Sequence, residues 1–309
     1  MSPARVRGHC PPVRFVALGD SFTEGVGDPV PGGRRGWAAL LAEGMDDGVR
    51  GVEFRNLAVS GALSCDVRDS QAAAAAAFRP DIASVVVGVN DTLRRSFDLM
   101  GLAQRLDEVC ALLATGGAVL LTACLPDPGS VLGLPAPLAR PLARRQRAVN
   151  AVVHALSARY DAVHLHASGR AWVEDRSLWS VDRLHPAERG HRKVAAGFHR
   201  LLLERGLAPG APPGTEPRQP PPTRAAAALW LATEGTGWLA RRSTDLLPQL
   251  LCLAAAEIRH AARGTSATLD RRAERELLRA LAALKPPAAG HRTSDPPAPS
   301  PVPRARMEG

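Results

Sequence analysis

Three polar turns carry the side chains of this sequence that could do chemistry, and each directly follows an apolar, strand-like run. The turns are Gly19-Asp20-Ser21, Ser60-Gly61 and Gly88-Val89-Asn90-Asp91. In a parallel α/β sheet the ends of such runs lie at one edge, where ligands bind. A serine hydroxyl, a backbone N–H and a side-chain amide should therefore face one crevice. Asp182-x-x-His185, later in the chain, could complete the set.

Ser21 is the candidate nucleophile in this set. A serine hydroxyl attacks poorly until a neighbouring base takes its proton. His185 can be that base, because an imidazole titrates near neutral pH. Asp182, three residues earlier, can accept the Nδ1 proton of His185 and leave Nε2 free to face Ser21. These residue types predict a proton relay from Ser21 through His185 to Asp182.

The same turns supply donors for an oxyanion. The backbone N–H groups of Ser21 and Gly61 and the side-chain amide of Asn90 can together stabilise the negative oxygen that forms during acyl transfer. Removal of one such donor typically costs roughly 3–4 kcal/mol of transition-state stabilisation. Glycine at position 61 lets the main chain approach a substrate closely.

Strand-like and helical segments alternate through the first two thirds of the chain. The predicted strands are 13–18, 51–57, 82–87, 118–124 and 162–166, and the predicted helices are 36–45, 65–78, 97–114, 138–160 and a last one from Pro186 to about residue 205. This alternation predicts a parallel sheet with helices on both faces. Pro186 suits the first position of the last helix and Glu188 its first turn, so His185 would lie in the preceding loop.

The order Gly19-Asp20-Ser21, Gly61, Gly88-x-Asn90-Asp91 and Asp182-x-x-His185 resembles the SGNH hydrolases, also called GDSL esterases and lipases. The resemblance implies a flavodoxin-like, three-layer α/β/α sandwich with a five-stranded parallel sheet over 13–205. It also implies hydrolysis of esters, thioesters or lysophospholipids, or deacetylation of carbohydrates, with Ser21, Gly61, Asn90 and His185 as functional residues. Phe22 stands where the family name expects leucine. No G-x-S-x-G motif surrounds Ser21, which argues against an α/β-hydrolase.

The remaining segments are predicted from composition. Residues 1–12 form an N-terminal tail, 206–223 a proline-rich linker, 224–285 a C-terminal helical extension, and 286–309 a disordered tail. In the extension, Leu247, Leu250, Leu251, Ala254 and Ile258 fall on one helical face, with arginines on both sides. Such a helix could contact an anionic lipid surface. A membrane-surface or protein-interaction module, with hydrolysis secondary, is therefore one alternative function. An acyltransferase that uses the same site is another.

Cysteine and histidine spacing argues against a metal. The five cysteines are odd in number and far apart, and no C-x-x-C pair appears, so neither a disulfide framework nor a zinc site is expected. His164 and His166 alternate within a predicted strand and could face the same side. Because no third ligand is evident nearby, we expect them to be structural. We expect neither a metal nor an organic cofactor.

Charge and hydropathy limit the partners and the location. The net charge is +9, but no compact basic run marks a nucleic-acid surface, so a small-molecule ester is the expected partner and nucleic acid is not. No apolar signal segment precedes Arg14, and no stretch has the length of a membrane-spanning helix. The predicted location is cytoplasmic.

Overall fold

A five-stranded parallel sheet lies at the centre of the computed structural model, which describes residues 11–218 and 247–284. Its strands are β1 (Val13–Gly19), β4 (Val52–Asn56), β5 (Ile82–Val86), β6 (Val119–Cys124) and β7 (Val163–His166). They stand in the order β4-β1-β5-β6-β7, which is the flavodoxin-like arrangement. The predicted fold class is confirmed.

Helices cover both faces of the sheet. The described helices are α1 (Ser21–Glu24), α2 (Gly36–Met45), α3 (Ser64–Asp66), α4 (Ala72–Phe78), α5 (Val89–Thr92), α6 (Leu99–Thr115), α7 (Pro128–Leu132), α8 (Ala136–Arg159), α9 (Arg170–Glu174), α10 (Glu188–Glu204), α11 (Leu247–Ala262) and α12 (Ser266–Ala283). A π-helical turn (Val67–Gln71) joins α3 to α4, and a 3-10 turn (Arg176–Leu178) follows α9. Helices α4, α6 and α8 pack on one face, and α2 and α10 on the other.

Successive side chains along each strand point to opposite faces of the sheet and so pack into two separate cores. In β1, Val16 and Leu18 join the core under α4, α6 and α8, whereas Phe15 and Ala17 join the core under α2 and α10. All residues of the central strand β5 are buried, as the continuous apolar run predicts. The carboxyl ends of β1 and β5 therefore lie side by side between two packed layers.

Two features differ from the sequence prediction. A small antiparallel hairpin, β2 (Pro29–Val30) with β3 (Gly33–Arg34), lies in a stretch that carries no strand signal. The last helix begins at Glu188 rather than at Pro186, with Ala187 as its N-cap. Pro186 instead forms an antiparallel bridge with Trp179, and this bridge closes the loop that carries His185.

Part of the predicted linker lies against the body. Ala208 is fully buried, and His199 on α10 hydrogen-bonds the Gly210 carbonyl oxygen through Nε2 at 3.1 Å. The Arg192 side chain donates to the Gly214 carbonyl oxygen at 3.0 Å. Residues 206–218 therefore extend the packed body. The predictions for 1–10, 219–246 and 285–309 lie outside the described residues.

The described part of the C-terminal extension packs on α6 and α8. Leu277, Leu281 and Leu284 pack against the core beneath these helices, and Ala280 is buried there. An ion pair joins Arg144 on α8 to the buried Glu257 on α11, at 3.3 Å. Most of the apolar face predicted for α11 does not pack against the body. Leu247, Leu251 and Ile258 on that face are about half exposed. Contact of this face with lipid stays a prediction. Among the described helices, none is long and apolar enough to cross a membrane.

Candidate active site

Ser21, His185 and Asp182 form a continuous hydrogen-bonded chain. Ser21 opens α1 directly after β1, and its Oγ lies 2.8 Å from His185 Nε2. His185 Nδ1 lies 2.6 Å from Asp182 Oδ2. With Nδ1 protonated, the imidazole donates to the carboxylate and leaves Nε2 to accept the Ser21 proton. This is the tautomer that a general base for a serine requires.

Asp182 is held by its own loop as well as by His185. Its Oδ1 accepts hydrogen bonds from Ser180 Oγ at 2.6 Å and from the backbone N–H groups of Leu184 and His185 at 2.9 and 3.0 Å. Burial alone would raise the pKa of Asp182, but the hydrogen bond and charge of His185, together with these donors, lower it to about 2. The group is therefore a carboxylate at neutral pH.

The turn before Ser21 is shaped by Gly19. Its φ is +151°, and a Cβ at this position would lie 2.2 Å from the carbonyl oxygen of Val86 on the neighbouring strand. Asp20 then caps α1, because its Oδ1 accepts from the Phe22 N–H at 3.0 Å. Asp20 thus stabilises the turn that presents Ser21.

Gln71 is a residue of this site that sequence reasoning missed. It is buried on the π-helical turn, and its amide binds both main-chain groups of Gly19: Oε1 accepts from the N–H at 2.8 Å and Nε2 donates to the carbonyl oxygen at 2.9 Å. The side chain thereby fixes the main chain two residues before the hydroxyl. A glutamine beside an alanine run was the only signal for it.

Asn90 lies on α5, beside the turn of Ser21. Its Nδ2 donates to the Ala62 carbonyl oxygen at 3.1 Å and to Asp20 Oδ2 at 3.3 Å. Asn90 thus links the loop that carries Ser21 to the loop that carries Gly61.

Burial raises the pKa of Asp20 to about 6, against the lowering effects of the Phe22 N–H and of His185.

Gly61 has a φ of +85°, which favours glycine, and its loop is fastened to the site by its neighbours. The Val59 N–H donates to the Gly19 carbonyl oxygen at 3.2 Å, and Ala62 accepts from Asn90. Gly61 itself is not among the residues that line the cleft. The structure therefore joins Ser21, His185 and Asp182 by direct hydrogen bonds, and Asn90 bonds the neighbours of Ser21 and Gly61, namely Asp20 and Ala62.

An open cleft lies in front of the Ser21 hydroxyl. Its walls carry Asp20, Ser21, Asn90 and His185 beside a mostly apolar set, namely Phe22, Val89, Leu93, Leu125, Pro126, Pro128, Val131, Trp179 and Leu184. A nucleophile, a base and an amide donor at the end of an apolar cleft suit attack on an uncharged carbonyl compound.

A buried network of ion pairs stabilises the start of α10, directly after the loop that carries His185. Arg35 binds Asp28 at 3.0 Å and Glu188 at 2.9 Å, and Arg192 binds Glu188 at 2.8 Å. Because Glu188 is the first residue of α10, the network ties the start of that helix to the segment that follows Ser21. The sequence predicts Glu188 as a first-turn acid but gives no sign of its partners.

One group of side chains in the described part of the chain could hold a metal ion, and it lies outside this cleft. Cys124, His154, His164 and His166 place one ligand atom each within 4.8 Å of one another. The expectation that His164 and His166 have no further ligand nearby is wrong. Cys124 and His154 are distant in sequence and come from a neighbouring strand and from the helix above. Burial and the two neighbouring histidines lower the pKa of His164 to about 4, so its ring is neutral.

Comparisons with solved structures agree with this architecture. A variant of Axe2, an acetyl xylan esterase from Geobacillus stearothermophilus, is 19% identical and superposes with a TM-score of 0.51 over 62% of this chain and 94% of that one. LAE5, described as an alpha/beta hydrolase enzyme from the metagenome of Lake Arreo, Spain, is 18% identical, with a TM-score of 0.52 over 63% of this chain and 96% of that one. At these identities the likeness establishes the fold. A search of curated proteins found no match.

The family model described as GDSL-like Lipase/Acylhydrolase matches residues 17–193. This range contains every member of the hydrogen-bonded set around Ser21. With more than half of the sequence matched, the chain belongs to the GDSL-like lipase/acylhydrolase family.

Proposed function

We propose that this protein is a serine esterase that cleaves carboxylic esters through an acyl-enzyme on Ser21. The observation that carries the proposal is the chain of contacts from Ser21 Oγ to His185 Nε2 at 2.8 Å and from His185 Nδ1 to Asp182 Oδ2 at 2.6 Å. The family and the esterase neighbours support ester hydrolysis as the reaction class.

In the first half of the proposed reaction, Ser21 Oγ attacks the ester carbonyl carbon while His185 Nε2 takes the serine proton. The Ser21–acyl bond forms, and the carbonyl oxygen becomes an oxyanion. As this intermediate collapses, the imidazolium gives its proton to the departing alkoxide and an alcohol leaves. Asp182 stabilises the imidazolium and stays ionised throughout.

In the second half, His185 takes a proton from water, and the resulting hydroxide attacks the acyl carbon. Collapse of the second oxyanion breaks the bond to Ser21, whose oxygen recovers the proton from His185, and the carboxylic acid leaves. An added alcohol that competes with water at this step would identify an acyltransferase instead.

The proposed oxyanion donors are the N–H groups of Ser21 and Gly61 and the Asn90 side chain. In the structure Asn90 Nδ2 donates to the Ala62 carbonyl oxygen at 3.1 Å and to Asp20 Oδ2 at 3.3 Å. The bond to Asp20 is the longer of the two, so it is the one that an oxyanion would replace.

The mostly apolar cleft favours esters of uncharged acids over charged substrates. Axe2, by its description, acts on acetyl groups of xylan, and we propose short acyl chains here as the first substrates to test. The predicted cytoplasmic location and the identity of the ester stay predictions.

The test is hydrolysis of p-nitrophenyl esters of graded acyl length by the wild type and by Ser21→Ala. Ser130→Ala is the matched control, because Ser130 is exposed on α7 and does not line the cleft. A fluorophosphonate probe, followed by peptide mass spectrometry, identifies the acylated residue. We expect Ser21→Ala to lose activity and labelling while Ser130→Ala keeps both. Full activity in Ser21→Ala, or label on another serine, would overturn the proposal.

A further inference from the structure

Three imidazole nitrogens surround one cysteine sulfur at the end of β6. Cys124 Sγ lies 3.2 Å from His154 Nε2, 3.4 Å from His164 Nε2 and 3.7 Å from His166 Nδ1. The three rings stand nearly perpendicular to one another, with interplanar angles of 80° to 87°. Each ring therefore places one nitrogen beside the sulfur without stacking on another ring.

Regular elements of the fold bring these four side chains together. Cys124 ends β6 and pairs in register with His166 on β7, and His164 lies two residues earlier on the same face of β7. That face is covered by α8, which contributes His154. Because the positions are set by strand register and helix packing, the arrangement exists before any ligand binds.

Hydrogen bonding among the four groups cannot satisfy all of them. A thiol has one proton and can donate to only one of the three nitrogens, and sulfur is a weak acceptor for the others. A cation at the centre would instead accept a lone pair from every member. In a tetrahedral zinc site with the usual bond lengths, sulfur and nitrogen ligands lie about 3.6 Å apart. The three observed separations fall on either side of that value.

We propose that Cys124, His154, His164 and His166 bind a zinc ion in a tetrahedral site with one thiolate and three imidazoles. A tetrahedral set of thiolate and imidazole ligands is typical of zinc. Cysteine loses its thiol proton to solvent on binding, and the histidines bind as neutral rings.

The surroundings of His164 support this assignment. Its Nδ1 lies 2.9 Å from Thr122 Oγ1 and 3.1 Å from Ser157 Oγ, which orients Nε2 toward Cys124. Ligating histidines typically have their second nitrogen held in this way. Ser168 Oγ also lies 3.5 Å from Cys124 Sγ and can donate to a thiolate.

Four protein ligands leave no open position, so the site is structural rather than catalytic. It would fasten the edge strand β7 and the end of β6 to α8. His154 and His166 are exposed, which gives the ion a path from solvent, whereas Cys124 is buried. The zinc site does not depend on the esterase proposal, and Ser21→Ala should bind the ion as the wild type does.

The experiment uses the full chain, purified without a polyhistidine tag and stripped with a chelator. Zinc content after reloading is measured by elemental mass spectrometry, and Co²⁺ is added as a spectroscopic substitute. We expect one zinc per chain, a thiolate-to-cobalt charge-transfer band and the strong visible bands of tetrahedral cobalt. Zinc should also raise the melting temperature.

Four variants test whether the zinc binds at this cluster of side chains. His154→Ala and His166→Ala alter exposed side chains, and each should weaken zinc binding by at least about tenfold. Cys124→Ser should abolish the charge-transfer band. Cys252→Ser, at an exposed cysteine outside the cluster, is the matched control and should keep it. Zinc far below one equivalent, cobalt spectra without the thiolate band, or unchanged affinity in His154→Ala and His166→Ala would overturn the proposal.

Discussion

Replacement of Asp182 by Asn tests the proton relay and the electrostatics of the site in one variant. Asparagine keeps the size of the side chain but removes its charge, so it no longer favours the imidazole tautomer that donates from Nδ1 toward position 182. In serine triads this change lowers kcat by about four orders of magnitude. We expect a fall of about 10³- to 10⁴-fold in kcat on a p-nitrophenyl ester, with a much smaller change in KM.

The second measurement on this variant is the pH dependence of the free energy of unfolding, and the pKa of Asp182 sets its expected size. The folded pKa is about 2 against an ordinary value of 3.8. The unfolded chain therefore binds the proton more tightly than the folded chain. The carboxylate contributes about 2 kcal/mol of stability above pH 4, which is lost as the pH falls through 2. In Asp182→Asn the free energy of unfolding should fall less steeply over this range than in the wild type.

The assays are ester hydrolysis at neutral pH and urea denaturation at several pH values between 2 and 5. Asp161→Asn is the matched control, because the side chain of Asp161 is 94% exposed. It should leave kcat unchanged. A kcat of Asp182→Asn within tenfold of the wild type would refute the proton relay. Acid destabilisation as steep as in the wild type would refute the charge-based explanation of the pKa.

Three further variants test what positions the site, by urea denaturation and by ester hydrolysis. Gly19→Ala should lose about 3 kcal/mol or more and most of its activity, because the new Cβ meets the Val86 carbonyl oxygen at 2.2 Å. Gln71→Leu leaves the Gly19 N–H without its partner and the Gly19 carbonyl oxygen with the Val59 N–H alone, so it should lose about 2 kcal/mol and lower kcat more than KM. Arg35→Met removes the arginine that pairs with the buried Asp28 and one of the two that pair with Glu188, so it should lose about 3–5 kcal/mol.

The sequence predicts the fold well because its signals are local. The central strand β5 lies in a run rich in β-branched residues, 82–87, that a glycine closes, and the alanine-rich helix before it ends ahead of Pro80. Helix α2 lies at 36–45 as predicted. By contrast, the hairpin of β2 and β3 has only two residues in each strand, and nothing in its composition distinguishes it from a loop.

The candidate site is partly predictable for a related reason. Ser21, Asn90 and Gly61 follow strands, so the topology of the sheet brings them to one edge. The two hydrogen bonds between the Gln71 side chain and Gly19 are not predictable. They depend on how the π-helical turn rotates Gln71 about the helix axis. The error at Pro186 has a similar origin. Its local preference for a first helical position is overridden by the bridge to Trp179.

The proposed zinc site and the ester cleft share one segment, which leads to a last expectation. Cys124 is followed by Leu125 and Pro126, both in the wall of the cleft. Leu125 is also held by Asn150 on α8, which binds its N–H at 3.1 Å and its carbonyl oxygen at 2.8 Å. Because this second attachment does not use the metal, the wall should keep its position when zinc is removed. Zinc removal should therefore lower the melting temperature while kcat on short esters changes little.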